Sequence, residues 1–230
     1  PNPLHRTPGD IDFVVNPKDF KKTMEVLEKI GKVDHDLVHE HHGMAWVDGV
    51  TVEPHYKVHN YQSPSTDYAM QEMFASVFPS ELSSADMDGY AVPVFPPTFE
   101  SVFLISHMVN HVYEEGLGLR QVIDYAMFLS SCADKIDWLQ HHEYLHLMRM
   151  ERAWRIFTCI CVDYLGMSLP SQVEAFSHQE KVWAAKMMTD IMRVGNFGRG
   201  EYVFHHRGFK DAFNNYCWVV KRCWNLGFVC

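Results

Sequence analysis

The pattern of the chain changes at Pro96-Pro97, and that change constrains the fold more than any other feature. Before it, short strand-like runs alternate with helical ones. After it, apolar residues recur at helical spacing almost without interruption. The 230 residues, 47% of them hydrophobic and 21% charged, are enough to bury a sizeable core. The expected architecture is α+β, with a small mixed-sheet core over residues 1–96 and an all-helical region over residues 97–230. No repeat of 20 to 50 residues is present, which excludes solenoids and propellers.

In the first part, residues 11–15 read as a strand. Asn16 and Pro17 then open a helix over residues 18–32, with Asn16 as the cap and Pro17 at the first helical position. Phe20, Met24, Leu27 and Ile30 recur at helical spacing, and Gly31 helps to stop the run. Residues 43–47 and 50–55 form a hairpin across Asp48-Gly49, the dipeptide best suited to a type I′ turn. A helix is expected over residues 67–78, and a short strand over 91–95 that Pro96-Pro97 terminates. The remaining helices are expected at 98–115, 120–131, 136–147, 149–165, 179–194 and 209–224.

Charge and motif content exclude several functions. With 20 Lys+Arg against 29 Asp+Glu, the net charge of -9 gives no field to gather bulk nucleic acid. The longest apolar runs, 102–105 and 156–162, fall far short of the ~20 residues of a membrane span. Cys132, Cys159, Cys161, Cys217, Cys223 and Cys230 contain no Cys-x-x-Cys pair, which fits reduced thiols and a cytoplasmic location. Nucleophile-elbow, Walker A and dinucleotide fingerprints are absent.

The residues that carry chemistry begin at Gly9-Asp10-Ile11-Asp12. Strand alternation places Asp10 and Asp12 on one face and sends Ile11 into the core. Two carboxylates so close repel each other, and a divalent cation such as Mg²⁺ relieves the repulsion. Glu53 is the candidate third acid, sharing its strand face with Thr51 and His55, while Pro54 marks a sheet edge or a strand end. The plain alternative is a solvated turn-forming Asp-x-Asp. His107 and His111, four apart on a helix, either contact metal or phosphate beside Arg120 and Asp124 or line a helix interface, with Arg120 and Asp124 as an ion pair. His39, His41 and His42, and likewise His141, His142 and His146, read as solvated surface. Met187, Met188 and Met192 read as core.

The run Arg6-Thr7-Pro8-Gly9-Asp10-Ile11-Asp12-Phe13-Val14-Val15, followed by Asn16-Pro17-Lys18-Asp19, resembles the acidic strand of the polymerase-β-like nucleotidyltransferase superfamily. More narrowly, it resembles the bacterial uncharacterised nucleotidyltransferase family. The likeness continues in Val52-Glu53-Pro54-His55-Tyr56, with Pro54 in place of the usual leucine. It extends through Phe103-Leu104-Ile105-Ser106-His107 with His111, Leu119 to Asp124, and Ile136-Asp137-Trp138. These elements span most of residues 6–140.

The resemblance implies that Asp10, Asp12 and Glu53 are catalytic metal-binding acids for two Mg²⁺ ions. It further implies that an acceptor, whether small molecule, sugar or protein, attacks the α-phosphorus of a nucleoside triphosphate and releases pyrophosphate. Arg6 or Arg120 would balance triphosphate charge, and Gly9, His55, His107, His111 and Asp124 complete the implied nucleotide-contacting set. The superfamily's Gly-Ser or Gly-Gly turn would lie upstream of Pro1, and a start at a residue other than Met fits a core that is N-terminally incomplete. Two other readings are a catalytically inactive module that scaffolds a biosynthetic complex and a transition-metal site at His107 and His111.

Overall fold

The computed structural model describes residues 9–35, 41–58, 61, 63–114, 116–194 and 226. Arg6, His39 and the helix expected over residues 209–224 lie outside these. The fold is α+β, and the chain divides into two compact units, one ending at Ser80 and the other beginning at Glu81.

The first unit is built on a four-stranded sheet. Strands β1 (Ile11–Val14), β2 (Lys32–Asp34), β3 (Met44–Val47) and β4 (Val50–His55) lie in the order β1-β4-β3-β2. β1 runs parallel to β4, and the other pairings are antiparallel. The β3–β4 turn is the one expected: Asp48 and Gly49 have φ of 50° and 81°, the left-handed pair that a type I′ turn requires. Between β1 and β2, Asn16 Oδ1 accepts from the Lys18 amide (3.0 Å), Pro17–Asp19 make one 3-10 turn, and helix α1 (Phe20–Ile30) follows.

Alternation then sorts the sheet into two faces. Phe13, Val33, Val47, Ala45 and Val52 pack with Met24 and Leu27 of α1, which makes one face apolar. Gly31 ends α1 where an added Cβ would run into the Trp46 carbonyl oxygen, so the helix approaches β3 closely at that point. The opposite face carries the residues between: Asp12 on β1, Thr51, Glu53 and His55 on β4.

One expectation about this sheet is corrected. Ile11 is 52% exposed, because β1 is an edge strand and Phe13, two residues on, makes the core contact instead. Of the two places expected for Pro54, a sheet edge or a strand end, the second is found: it is the penultimate residue of β4, an interior strand. Gly43 N–H donates to the Pro54 carbonyl (3.1 Å), but Pro54 has no N–H to return the bond. The β3–β4 ladder runs from Val47↔Val50 to Ala45↔Val52, and an isolated bridge His42↔His55 continues it in the same register. Beyond β4, Asp67 Oδ2 pairs with Lys57 Nζ (3.0 Å) and Asp67 Oδ1 accepts from the Tyr61 amide, anchoring the start of α2 (Pro64–Val77).

The second unit opens with a hairpin of β5 (Ser83–Met87) and β6 (Tyr90–Val94) around Asp88-Gly89. Helices α3 (Pro97–Glu114), α4 (Leu119–Cys132), α5 (Trp138–Leu147), α6 (Glu151–Asp163) and α7 (His178–Val194) follow. Helix α6 is the centre of this unit, with Ala153, Trp154 and Ile156 to Cys161 all buried. Met187 of α7 is buried as expected, together with Ile191, whereas Met192 is exposed because it falls on the outer side of the helix turn. Among the described residues, no helix is long and apolar enough to cross a membrane.

Candidate active site

The parallel register of β1 and β4 sets Asp12 directly opposite Glu53. Opposed residues on neighbouring strands present their side chains to the same face, so the two acids share the polar side of the sheet. Asp12, half exposed, is open to water, whereas the Glu53 side chain is 16% exposed. Burial, and then the charges of Asp12 and Asp10, push the Glu53 carboxyl from 4.5 up to about 7. Asp10, immediately before β1 and exposed, is therefore near enough for its charge to be felt at Glu53. The three acids singled out by sequence belong to one electrostatic cluster.

His55 completes it. One step beyond Pro54 on β4, it returns to the face of Glu53, and its Nε2 donates to Asp12 Oδ1 (3.2 Å). The same nitrogen lies 3.9 Å from Glu53 Oε2. Ligand atoms of Asp12, Glu53 and His55 all fall within 4.8 Å of one another, a grouping able to hold a metal ion.

The solvated-surface reading of His41 and His42 is overturned. His42 is 8% exposed and His41 half-buried, because the bridge to His55 carries the strand pairing through His42 and lays its ring on the site's face. His42 Nε2 lies 3.5 Å from Glu53 Oε2, and the His42 and His55 rings are 4.9 Å apart between centroids. A signal for this existed in the sequence. Extending the Asp48-Gly49 hairpin register outward sets His42 against His55.

The other candidates fall in different places. Gly9 is exposed just ahead of Asp10. His107 and His111 lie in the second unit on α3, their Nε2 atoms 3.0 Å apart and sharing one hydrogen bond. Among the described residues, no third His, Cys, Asp or Glu joins this pair to make a metal-binding group. Arg120 and Asp124 are half-buried, one turn apart on α4 of the same unit. His142 and His146 are exposed as expected, but His141 is fully buried on α5. Its Nε2 is 3.1 Å from Ser101 Oγ on α3, and burial pushes its pKa down to about 3, so it stays neutral as part of the core. Asp137 of the Ile136-Asp137-Trp138 element caps α5, accepting from the Leu139 and Gln140 amides (both 3.1 Å).

Comparison with known proteins gives one finding. A family model described as an uncharacterised nucleotidyltransferase matches residues 1–166, which takes in the sheet with its acids and the helices through α6. No curated protein and no solved structure matches the chain.

Proposed function

On the premise that the chain belongs to the uncharacterised nucleotidyltransferase family, we propose that it is a Mg²⁺-dependent enzyme moving a nucleotidyl group from a nucleoside triphosphate to a hydroxyl or phosphate acceptor. The observation that carries the reading is the pairing of Asp12 with Glu53 across the β1–β4 ladder, with Asp10 close enough to raise the Glu53 carboxyl further. Uncompensated, such a cluster is unfavourable, and a hard divalent cation is the partner its oxygen donors suit.

Asp10, Asp12 and Glu53 are the residues that would hold the metal. When bound, divalent ions neutralise triphosphate charge and stabilise the charge that develops on the leaving pyrophosphate. The chain's own residues supply placement. Asp12, open to solvent, takes the side from which a nucleotide arrives, and Glu53 backs it from the more buried strand. His55 orients the Asp12 carboxylate through the 3.2 Å hydrogen bond to one of its oxygens. The reaction is then attack of the acceptor oxygen on the α-phosphorus, with cleavage of the bond to the oxygen bridging the α and β phosphorus atoms. Arg6, Gly9, His107, His111, Arg120 and Asp124 enter the proposal only as nucleotide contacts implied by the resemblance, each tested by alanine substitution.

The test is calorimetric titration of ATP, CTP, GTP and UTP, with and without Mg²⁺. It is done on this chain and on its Asp12→Asn variant. The proposal expects at least one nucleotide to bind only with Mg²⁺ and to lose that binding in Asp12→Asn. Binding that ignores Mg²⁺ or survives the substitution overturns it, and no nucleotide binding at all points to the scaffolding module instead.

A further inference from the structure

Behind the carboxylates lies a second set of ligand atoms of different chemistry. His41, His42 and His55 each offer a ring nitrogen, and these nitrogens all lie within 4.8 Å of one another. The rings are packed together, with centroids 4.4 Å apart for His41 and His42, 4.9 Å for His42 and His55, and 5.6 Å for His41 and His55. Their backbones are fixed. His42 bridges His55, and the His41 carbonyl accepts from the amides of Tyr56 (3.0 Å) and Lys57 (3.3 Å).

Two of the imidazoles already have the outer partners that metal-bound histidines have. A ligating imidazole usually gives its second nitrogen to a carboxylate, which sets the tautomer and raises ligand basicity. Here His55 Nε2 is held by Asp12 at 3.2 Å, and His42 Nε2 faces Glu53 at 3.5 Å. That leaves the Nδ1 atoms, both of which are buried, and His55 Nδ1 makes no hydrogen bond. A buried imidazole nitrogen with no partner is costly unless something occupies its lone pair. Nitrogens on one tetrahedral ion stand roughly 3.3 Å apart, and one ring nitrogen from each of the three histidines lies within 4.8 Å of the others.

We propose that His41, His42 and His55 form a binding site for a borderline transition-metal ion, of the Zn²⁺ or Co²⁺ kind, backed by Asp12 and Glu53 and separate from the all-oxygen site. Three neutral nitrogens select such ions over Mg²⁺, and three protein ligands leave one position open to water or a substrate atom. The site shares His55 with the nucleotidyl-transfer reading but does not require it.

The test uses Co²⁺ alone, titrated into the full chain with excess Mg²⁺ to satisfy the carboxylates. Low-coordinate Co²⁺ absorbs strongly in the visible region and six-coordinate Co²⁺ only weakly. The expected result is one equivalent of Co²⁺ with strong visible bands, displaced by Zn²⁺. Binding should weaken about tenfold or more in His41→Ala and in His42→Gln and persist in Asp12→Asn, which keeps an acceptor for His55. Circular dichroism checks that each variant is folded, and the half-buried His41 provides a variant that leaves the core untouched. No saturable strong-band binding, or binding indifferent to both histidine substitutions, overturns the proposal. Loss in Asp12→Asn with retention in both histidine variants also overturns it, by placing the ion among the carboxylates. Mg²⁺-dependent nucleotide binding, measured separately on the wild type, reads the nucleotidyl-transfer proposal by itself, so the failure of one proposal is distinguished from the failure of the other.

Discussion

Glu53→Gln should make the metal-free protein more stable at alkaline pH while removing a ligand, and the size of the effect can be worked from the site. Burial and the charges of Asp12 and Asp10 lift the Glu53 carboxyl from 4.5 to about 7. At about 1.36 kcal/mol per pH unit, that difference amounts to roughly 3 kcal/mol. Water reaching the site through the half-exposed Asp12 screens part of it and leaves about 2 kcal/mol. The sign follows from proton binding. Between 4.5 and 7 the unfolded chain releases this proton while the folded chain keeps it, so the contribution of Glu53 to stability is whole below 4.5 and is lost as pH rises through 7. Glutamine does not titrate. Urea denaturation in a chelator should therefore give wild type and Glu53→Gln matching stabilities at pH 4.5, with the variant ahead by about 2 kcal/mol at pH 8. Mg²⁺ at about 100 times its dissociation constant should then stabilise the wild type by about 2.7 kcal/mol and leave the variant nearly unmoved. Equal stabilities at pH 8 in chelator, or a gap that persists unchanged at pH 4.5, would refute the claim that burial and the neighbouring acids together disfavour the ionised Glu53 carboxylate.

Two further predictions concern the helical unit. Arg155 binds the Glu180 carboxylate through Nε (2.6 Å) and one terminal nitrogen (3.0 Å), and with the Ser177 amide and hydroxyl it holds that carboxyl down to about 2. Arg155→Met should cost roughly 3 kcal/mol at pH 7 in chemical denaturation, and its gap from wild type should narrow as pH falls from 4.5 through 2. Asp137→Ala removes the α5 cap and should cost about 1 kcal/mol, with Asp137→Asn near wild type and nucleotide binding unchanged in both, because this family-like residue holds a helix end.

What the sequence disclosed followed the strength of local signals. Asp48-Gly49 specified its turn, Asn16-Pro17 its helix start, and the hairpin pattern placed Glu53 and His55 on one face. β2 escaped notice because three residues, Lys-Val-Asp, carry no period and follow directly on Gly31. β5 escaped because Ser83–Met87 is mostly polar and lies on a hairpin with largely exposed faces, so no alternation betrays it. The parallel pairing that opposes Asp12 to Glu53 is a long-range event joining residues more than forty apart in the chain, and no local propensity encodes it. For the same reason the burial of His141 was invisible, because a histidine's environment is decided by the helix laid against it, whereas that of His42 could have been followed from the hairpin register. Ile11 failed for a related cause, since alternation tells which face a residue takes but not whether the strand stands at the edge of its sheet.

The central claim is that Asp12 and Glu53 together hold a divalent cation. It is tested most directly by Mn²⁺ titration followed by electron paramagnetic resonance, which reads the free ion, on wild type, Asp12→Asn and Glu53→Gln. The account predicts saturable binding to the wild type, weakened at least about tenfold in each variant while the circular dichroism spectra remain those of the folded chain. Equal Mn²⁺ affinity in all three folded proteins would contradict it.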